Sequence, residues 1–199
     1  MTRALILASA SPIRLSLMQK AGLHPAVIPA ALDEDSLKED LRQRRALPID
    51  VALELATKKA KHVSKAEPGA FVIGADQVLV IDGTLQSKPK TESDAVSQLM
   101  MMQGRSHRLI SAVVVFEEAA LVWQVVKSAD LHMRSLSRSF LERYVREEWE
   151  KIQHCVGGYM IEDRGISLFT RINGDYHTIL GLPILDLCNY LEDRGILNL

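Results

Sequence analysis

Cysteine is scarce: Cys155 and Cys188 are the only 2 in 199 residues. They do not make a zinc-type pair, and so few cannot build a disulfide framework, so a reducing cytosol is the expected setting. No apolar run approaches the roughly 18–20 residues that cross a bilayer, and no membrane attachment is expected. A secretory leader is not expected either, because Arg3 is followed by only a short apolar stretch before Ser9. Neither sign of charge dominates. Lys+Arg 24 against Asp+Glu 25 leaves a formal net charge of -1, which argues against a broad basic surface wrapped in duplex nucleic acid. A charged substrate stays open if a few cations are placed locally. There is no low-complexity segment, no internal repeat and no linker. The 6 histidines are scattered without metal-ligand spacing, and His154 adjoins Cys155 rather than being spaced from it. The Walker loop, G-x-G-x-x-G, G-x-S-x-G and H-E-x-x-H are all missing.

What is present alternates between strand-like and helix-like segments, with enough length for a sizeable core in one domain or two small lobes. Leu5-Ile6-Leu7 reads as a buried strand, and a helix follows with Ser11 as N-cap, Pro12 at its first position and Gly22 as its stop. That junction presents a helix N-terminus with Arg14 in the first turn, an arrangement suited to an anion. A plain capped helix with a surface arginine fits this stretch alone equally well. Residues 24–31 read as extended and lead into an acidic turn, Leu32-Asp33-Glu34-Asp35, and 42–45 (RQRR) is a solvated basic run. Asp50 is expected to cap a helix reaching about Val63, with Ala52, Ala56, Ala60 and Val63 on one face. Residues 71–81 form a strand, and Asp82-Gly83 turns it into a hairpin. Thr91 and Asp94 open a helix that Gly104 closes. Strands follow at 108–116 and from 120 toward Met133. Ser137 caps a helix whose face is Leu141, Tyr144, Val145, Trp149 and Ile152. After Gly157-Gly158 come an alternating strand at 166–172, the turn Asn173-Gly174 and a last helix from Pro183 to Gly195. Hairpins among strand–helix alternation imply a mixed sheet flanked by helices, an α/β protein.

The strongest chemical signal is Asp76 in FVIGADQVLVI. A carboxylate inside such a run is costly to desolvate unless it is paired, bound to metal or open to a cleft. Gly74 marks a bend or a close backbone approach beside it. If Asp82-Gly83 is a two-residue loop, Ile81 pairs with Thr84. Counting outward then pairs Gln77 with Lys88, which would return that lysine to the neighbourhood of Asp76. Lys59 adjoins the apolar face of its helix, where a lone lysine would simply snorkel. Glu162, between the glycine pair and the next strand, reads equally well as a solvated turn residue.

Three stretches together resemble one family. LILASASPIR, then VIGADQVLVIDGTLQSKPK with GRSHRLISAVVV, then GDYHTILGLPILDL are similar, in that order and over nearly the whole chain, to the Maf family of nucleoside triphosphate pyrophosphatases. The resemblance implies a single Maf-like domain: a mixed, elongated, twisted sheet flanked by helices, with two lobes and a cleft between them, as in inosine triphosphatase-like folds. It implies hydrolysis of a nucleoside triphosphate to the monophosphate and pyrophosphate with a divalent metal, Mg2+ or Mn2+. Residue by residue, Ser9 and Arg14 match the phosphate-contacting corner. Glu34 matches an acidic position that would support the metal, Lys59 and Lys88 match substrate-binding lysines, and Asp76 matches the general base and a metal ligand.

Three positions depart from the usual pattern. Ile13 replaces an arginine, Gln77 a threonine and Glu162 a glutamine. These resemble the subgroup acting on 7-methyl-GTP, with Gln77 and Glu162 as substrate contacts, and a carboxylate suits a base made cationic by methylation. The alternatives are a dTTP/UTP-preferring relative, an enzyme clearing inosine-type nucleotides, and a nucleotide sensor acting on cell division without turnover. The resemblance implies a cytoplasmic protein that takes a nucleotide and neither duplex nucleic acid nor a membrane, and it leaves a homodimer open.

Overall fold

A computed structural model describes residues 4–197; Arg3 lies outside them. The described chain forms a mixed α/β structure with seven strands and flanking helices. In order these are β1 (Leu5–Leu7), α1 (Pro12–Lys20), β2 (Ala26–Val27), α2 (Glu34–Gln43), α3 (Pro48–Ala66), β3 (Phe71–Ile81) and β4 (Thr84–Gln86). Then come α4 (Glu92–Met102), β5 (Ser106–Glu117), β6 (Ala120–Met133), α5 (Arg138–Ile152), a 3-10 helix at Arg164–Leu168, β7 (Phe169–Asn173), α6 (Tyr176–Ile179) and α7 (Ile184–Asp193). The strand order is β2-β1-β3-β5-β6-β7, with β4 paired to β3 off that path. Among the described residues, no helix is long and apolar enough to cross a membrane.

The chain divides into two compact units. The first takes residues up to Gln77, Ile110–Lys127 and residues from Asp175 onward; the second takes Val78–Leu109 and Ser128–Gly174. In the first unit β1 runs parallel to both β2 and β3, with Ile6 opposite Ala26 and Val72. Helix α3 lies tight against β3 at Gly74, where an added Cβ would stand 2.3 Å from the Ala56 carbonyl oxygen. That is the close approach the glycine signals, and Ala52, Ala56, Ala60 and Val63 form the buried face of α3. Trp123 of β6 stacks on Tyr190 of α7 at 5.0 Å between ring centroids.

In the second unit the β3–β4 hairpin pairs Ile81 with Thr84 and Leu79 with Gln86. Asp82 and Gly83 both have positive φ, as a two-residue turn of this hand requires. Thr91 and Asp94 exchange the reciprocal capping-box bonds that open α4. Helix α5 buries Leu141, Tyr144, Val145 and Ile152, while Trp149 is half-buried.

Some local expectations give way. The acidic segment at 32–35 is no isolated turn: Asp33 accepts from the Ser36 N–H and caps α2, whose first turn holds Glu34 and Asp35. Acidic side chains favour that end of a helix. Asp50 caps nothing, since Pro48 opens α3 after Leu47 and Asp50 falls in the first turn. Residues 166–168 belong to the 3-10 helix and not to a strand, because Asp163 caps that turn through the Arg164 N–H. Only Ala26–Val27 of the extended stretch 24–31 is a strand.

Candidate active site

The strand-to-helix corner after β1 is built on hydroxyls. Ser11 accepts from the Arg14 N–H, and Ser9 Oγ accepts from the Ser11 N–H at 3.3 Å and from Arg14 Nη1 at 3.1 Å. Accepting twice leaves the Ser9 hydroxyl proton for a further partner. Pro12 has no N–H and two early N–H groups are satisfied internally, so the helix end offers fewer free donors than a bare N-terminus. Arg14 supplies the positive charge instead. Its Nε donates to the Gly181 carbonyl at 2.9 Å and its Nη1 to the Ala75 carbonyl at 2.8 Å. The two Nη2 hydrogens have no partner among the described residues. Burial lowers the Arg14 pKa, while the charges of Asp76 and Glu34 oppose that shift.

Asp76, 6% exposed, sits one residue beyond that carbonyl on β3. Its Oδ1 accepts from Lys59 Nζ at 2.6 Å. Lys59 is no snorkelling surface lysine: it is 9% exposed, and the same ammonium lies 2.9 Å from Glu34 Oε1. The tight α3–β3 contact at Gly74 explains this, since it holds the α3 face against the strand that carries Asp76. Asp76 Oδ2 has no hydrogen-bond partner among the described residues, yet it is not one of the sealed unpartnered polar atoms. One oxygen of the carboxylate is therefore anchored and the other is open. Lys38 lies 3.5 Å from Glu34 Oε2, so with Arg14 and Lys59 the cluster sets three cations against two carboxylates.

Gln77 points its amide nitrogen into a cluster of acceptors: Ser111 Oγ at 3.0 Å, the Thr178 carbonyl at 3.1 Å and the Ile179 carbonyl at 2.9 Å. Its Oε1 remains without a partner among the described residues. Ser111, fully buried, donates to the Thr178 carbonyl at 2.8 Å. Segment 178–181 is thus fastened by Gln77 and Ser111 at one end and by Arg14 at the other. No motif in the sequence assigns Ser111 a role; its one signal there is a lone hydroxyl inside the apolar run RLISAVVVF.

Lys88 and Glu162 belong to the second unit. The β3–β4 ladder stops at Gln86, so register does not pair Lys88 with Gln77. The exposed Lys88 is placed by its backbone: Gln98 of α4 donates to the Ser87 carbonyl, and Pro89 is buried. Around Glu162 the neighbouring charges are spent, Asp163 on Lys151 at 2.6 Å and Arg164 on Glu147. Glu162 is exposed and makes no hydrogen bond or ion pair among the described residues. Both Lys88 and Glu162 act on Cys155. Burial, chiefly, and the Glu162 charge raise its thiol to about 11, and Lys88 pulls it down.

A family model described as Maf-like protein matches residues 4–194. The chain belongs to the Maf family. Relatives of this family match over the full length. A protein named nucleoside triphosphate pyrophosphatase from a Ruegeria species is 45% identical over 197 residues, 99% of each chain. A second, from Ruegeria pomeroyi, is 43% identical over 198 residues, 100% of each chain. A protein named 7-methyl-GTP pyrophosphatase from Rhizobium meliloti is 42% identical over 194 residues, 98% of each chain. A solved HAM1 protein from Coxiella burnetii overlaps loosely, with TM-score 0.42 and 16% identity over 66% of this chain and 73% of that one. Among the described residues no group of three or more His, Cys, Asp or Glu side chains is arranged to hold a metal ion. A metal at the Maf-family site would rest on two carboxylates, Asp76 and Glu34. Hard carboxylate oxygens suit magnesium or manganese, which commonly take one or two protein carboxylates and complete their shell with water and substrate phosphate. The Lys59 ammonium between the two carboxylates is itself a cation where a cation would sit.

Proposed function

We propose that the protein is a hydrolase cleaving the α–β bond of a nucleoside triphosphate to the monophosphate and pyrophosphate, with 7-methyl-GTP as its preferred substrate. One observation carries the reaction class: a buried aspartate with one oxygen tied to Lys59 and the other open, beside an arginine with free donors. The full-length relatives named as pyrophosphatases support the same reading.

Attack on a triphosphate is opposed by the substrate's own charge, so the site must neutralise that charge and align a water. Arg14 Nη2 and the Ser9 hydroxyl are the donors for phosphate oxygens in the first unit, and Lys88 keeps the substrate-binding role that the family resemblance implies for it. Asp76 Oδ2 takes the proton as the water oxygen bonds to the α-phosphorus and pyrophosphate departs. With three cations against two carboxylates, the first-unit cluster does not offset the phosphates alone. Asp76 and Glu34 would hold the divalent cation, which supplies Lewis-acid polarisation of the phosphate oxygens.

The base reading rests on Ile13, Gln77 and Glu162, and on Glu162 being exposed and unpaired while its neighbours are committed. A carboxylate facing a cationic methylated purine gains up to ~4 kcal/mol at an effective dielectric of ~20 and ~4 Å, before desolvation. The test is hydrolysis of 7-methyl-GTP, GTP, UTP, dTTP and ITP with Mg2+ or Mn2+, reading monophosphate and pyrophosphate. We expect the highest kcat/KM on 7-methyl-GTP, and Glu162→Gln should lose more on it than on the other substrates. An equal loss on all five removes the base-reading role. Absence of pyrophosphate with every substrate would favour the sensor reading.

A further inference from the structure

Lys59 has an unusual position for a residue assigned to phosphate. Its ammonium spends itself on two carboxylates, 2.6 Å from Asp76 Oδ1 and 2.9 Å from Glu34 Oε1, in a place only 9% exposed. Those are the two side chains that would hold a divalent cation. An ammonium and a metal cannot share one gap between the same two oxygens, because both need the lone pairs and the two cations repel. From this geometry we infer that Lys59 is the resident cation of the Asp76–Glu34 pair in the substrate-free protein. It keeps divalent metal out until a triphosphate arrives to receive the ammonium.

The inference deepens the pyrophosphatase reading and rests on it for the identity of the incoming anion. Two buried or half-buried carboxylates without a counterion are strongly disfavoured, so the pair needs a cation at all times. Lys38 lies 3.5 Å from Glu34 Oε2 and makes no ion pair with Asp76; Lys59 is the ammonium paired with both carboxylates when no substrate is bound. Arg14 does not replace it: its Nε and Nη1 are committed to Gly181, Ala75 and Ser9. Lys59 sits on α3, and its four-carbon stem is flexible enough to swing the ammonium from carboxylate to phosphate without backbone movement. The exchange keeps charge matched, with the ammonium leaving the carboxylates as phosphate and metal enter together. The free enzyme would thus carry no tightly held metal, and metal would come in with the nucleotide.

The experiment measures Mn2+ binding to the substrate-free protein by electron paramagnetic resonance, with the melting temperature read in parallel. Wild type should bind Mn2+ weakly and show no change in Tm. Lys59→Met should bind at least tenfold tighter, melt lower without metal and regain Tm on addition of Mn2+. Lys59→Arg, which keeps a cation in the gap, should stay weak. Adding Asp76→Asn to Lys59→Met should abolish the gain. Should Lys59→Met fail to fold without metal, recovery of helical circular dichroism on adding Mn2+ is the same readout, and failure to recover counts against the inference. Wild-type binding as tight as that of Lys59→Met overturns it, as does a Lys59→Met protein indifferent to metal. These outcomes do not depend on turnover, so a protein that hydrolyses no nucleotide but passes the metal test sinks the pyrophosphatase reading alone.

Discussion

At Asp76 the two carboxylate oxygens have different environments. Oδ1 is fixed by Lys59, and Oδ2 has no such anchor. Asp76→Asn keeps the size of the side chain and removes its charge. It should lower kcat by at least a thousandfold, with an unchanged circular dichroism spectrum, in a hydrolysis assay of the preferred nucleotide. Cys155 reports the second unit in the same residue-by-residue way. With its pKa raised to about 11, the thiol is protonated at neutral pH and should alkylate slowly with iodoacetamide. Glu162→Gln removes a charge that raises this pKa and should speed alkylation several-fold at pH 8. Lys88→Ala removes one that lowers it and should slow the reaction. Opposite or null effects would mean that these side chains do not share the neighbourhood of Cys155. Asp76 could be singled out in the sequence because a lone acid in an apolar strand has few physical excuses. The fate of Lys59 could not: its partner Asp76 is 17 residues away, and only the packing of α3 on β3 decides between snorkelling and burial.

Among the elements, the α3–β3 contact leaves no room for a side chain at Gly74. Gly74→Ala would drive a methyl group against the Ala56 carbonyl and the Ala60 side chain, at 2.3 and 2.8 Å. Neither is the free end of a flexible chain, so helix and strand must separate. We expect a loss of about 3 kcal/mol or more in urea unfolding. We also expect turnover to fall beyond what stability explains, because the same contact delivers Lys59 to Asp76. Strand β3 and its hairpin could be read directly from the sequence, where a long apolar run ends in Asp82-Gly83 and the turn fixes the register. The short elements could not. The 3-10 helix at Arg164–Leu168 has strand-like alternation, and its conformation is set by the Asp163 cap, the Arg164–Glu147 pair and the seating of Gly165 on Met160. Helix α6 has only four residues, too few for a periodic signal, and stands on its Asp175 cap and the fastening of Thr178 by Gln77 and Ser111.

For the molecule as a whole, acid sensitivity should trace in part to His107. The ring is 2% exposed, bonded to the Tyr159 hydroxyl at 2.7 Å, and its Nδ1 is buried with no hydrogen-bond partner among the described residues. Burial lowers its pKa from 6.5 to about 4, against the opposing field of Asp130. Between those values the unfolded chain binds more protons than the folded one. Stability is therefore complete above about 6.5 and drains as pH falls toward about 4, by up to about 3 kcal/mol. Urea midpoints of wild type and His107→Gln at pH 7 and 4.5 check this, with the variant expected to lose less on acidification. The division of the chain into two units has a consequence of another kind. It changes unit after Gln77, after Leu109, after Lys127 and after Gly174, so neither unit is one continuous stretch. Asp76 and Gln77 fall to one unit and Lys88 to the other, although they are near neighbours along β3 and its hairpin. A single crossover between two diverged genes inside the span from Val78 to Gly174 would therefore join mismatched parts of both units at once, whereas one before or after that span would split the first unit alone. Exchanging the second unit whole takes a junction at each of these four boundaries, so point substitution is the shorter route by which such a chain changes what it binds.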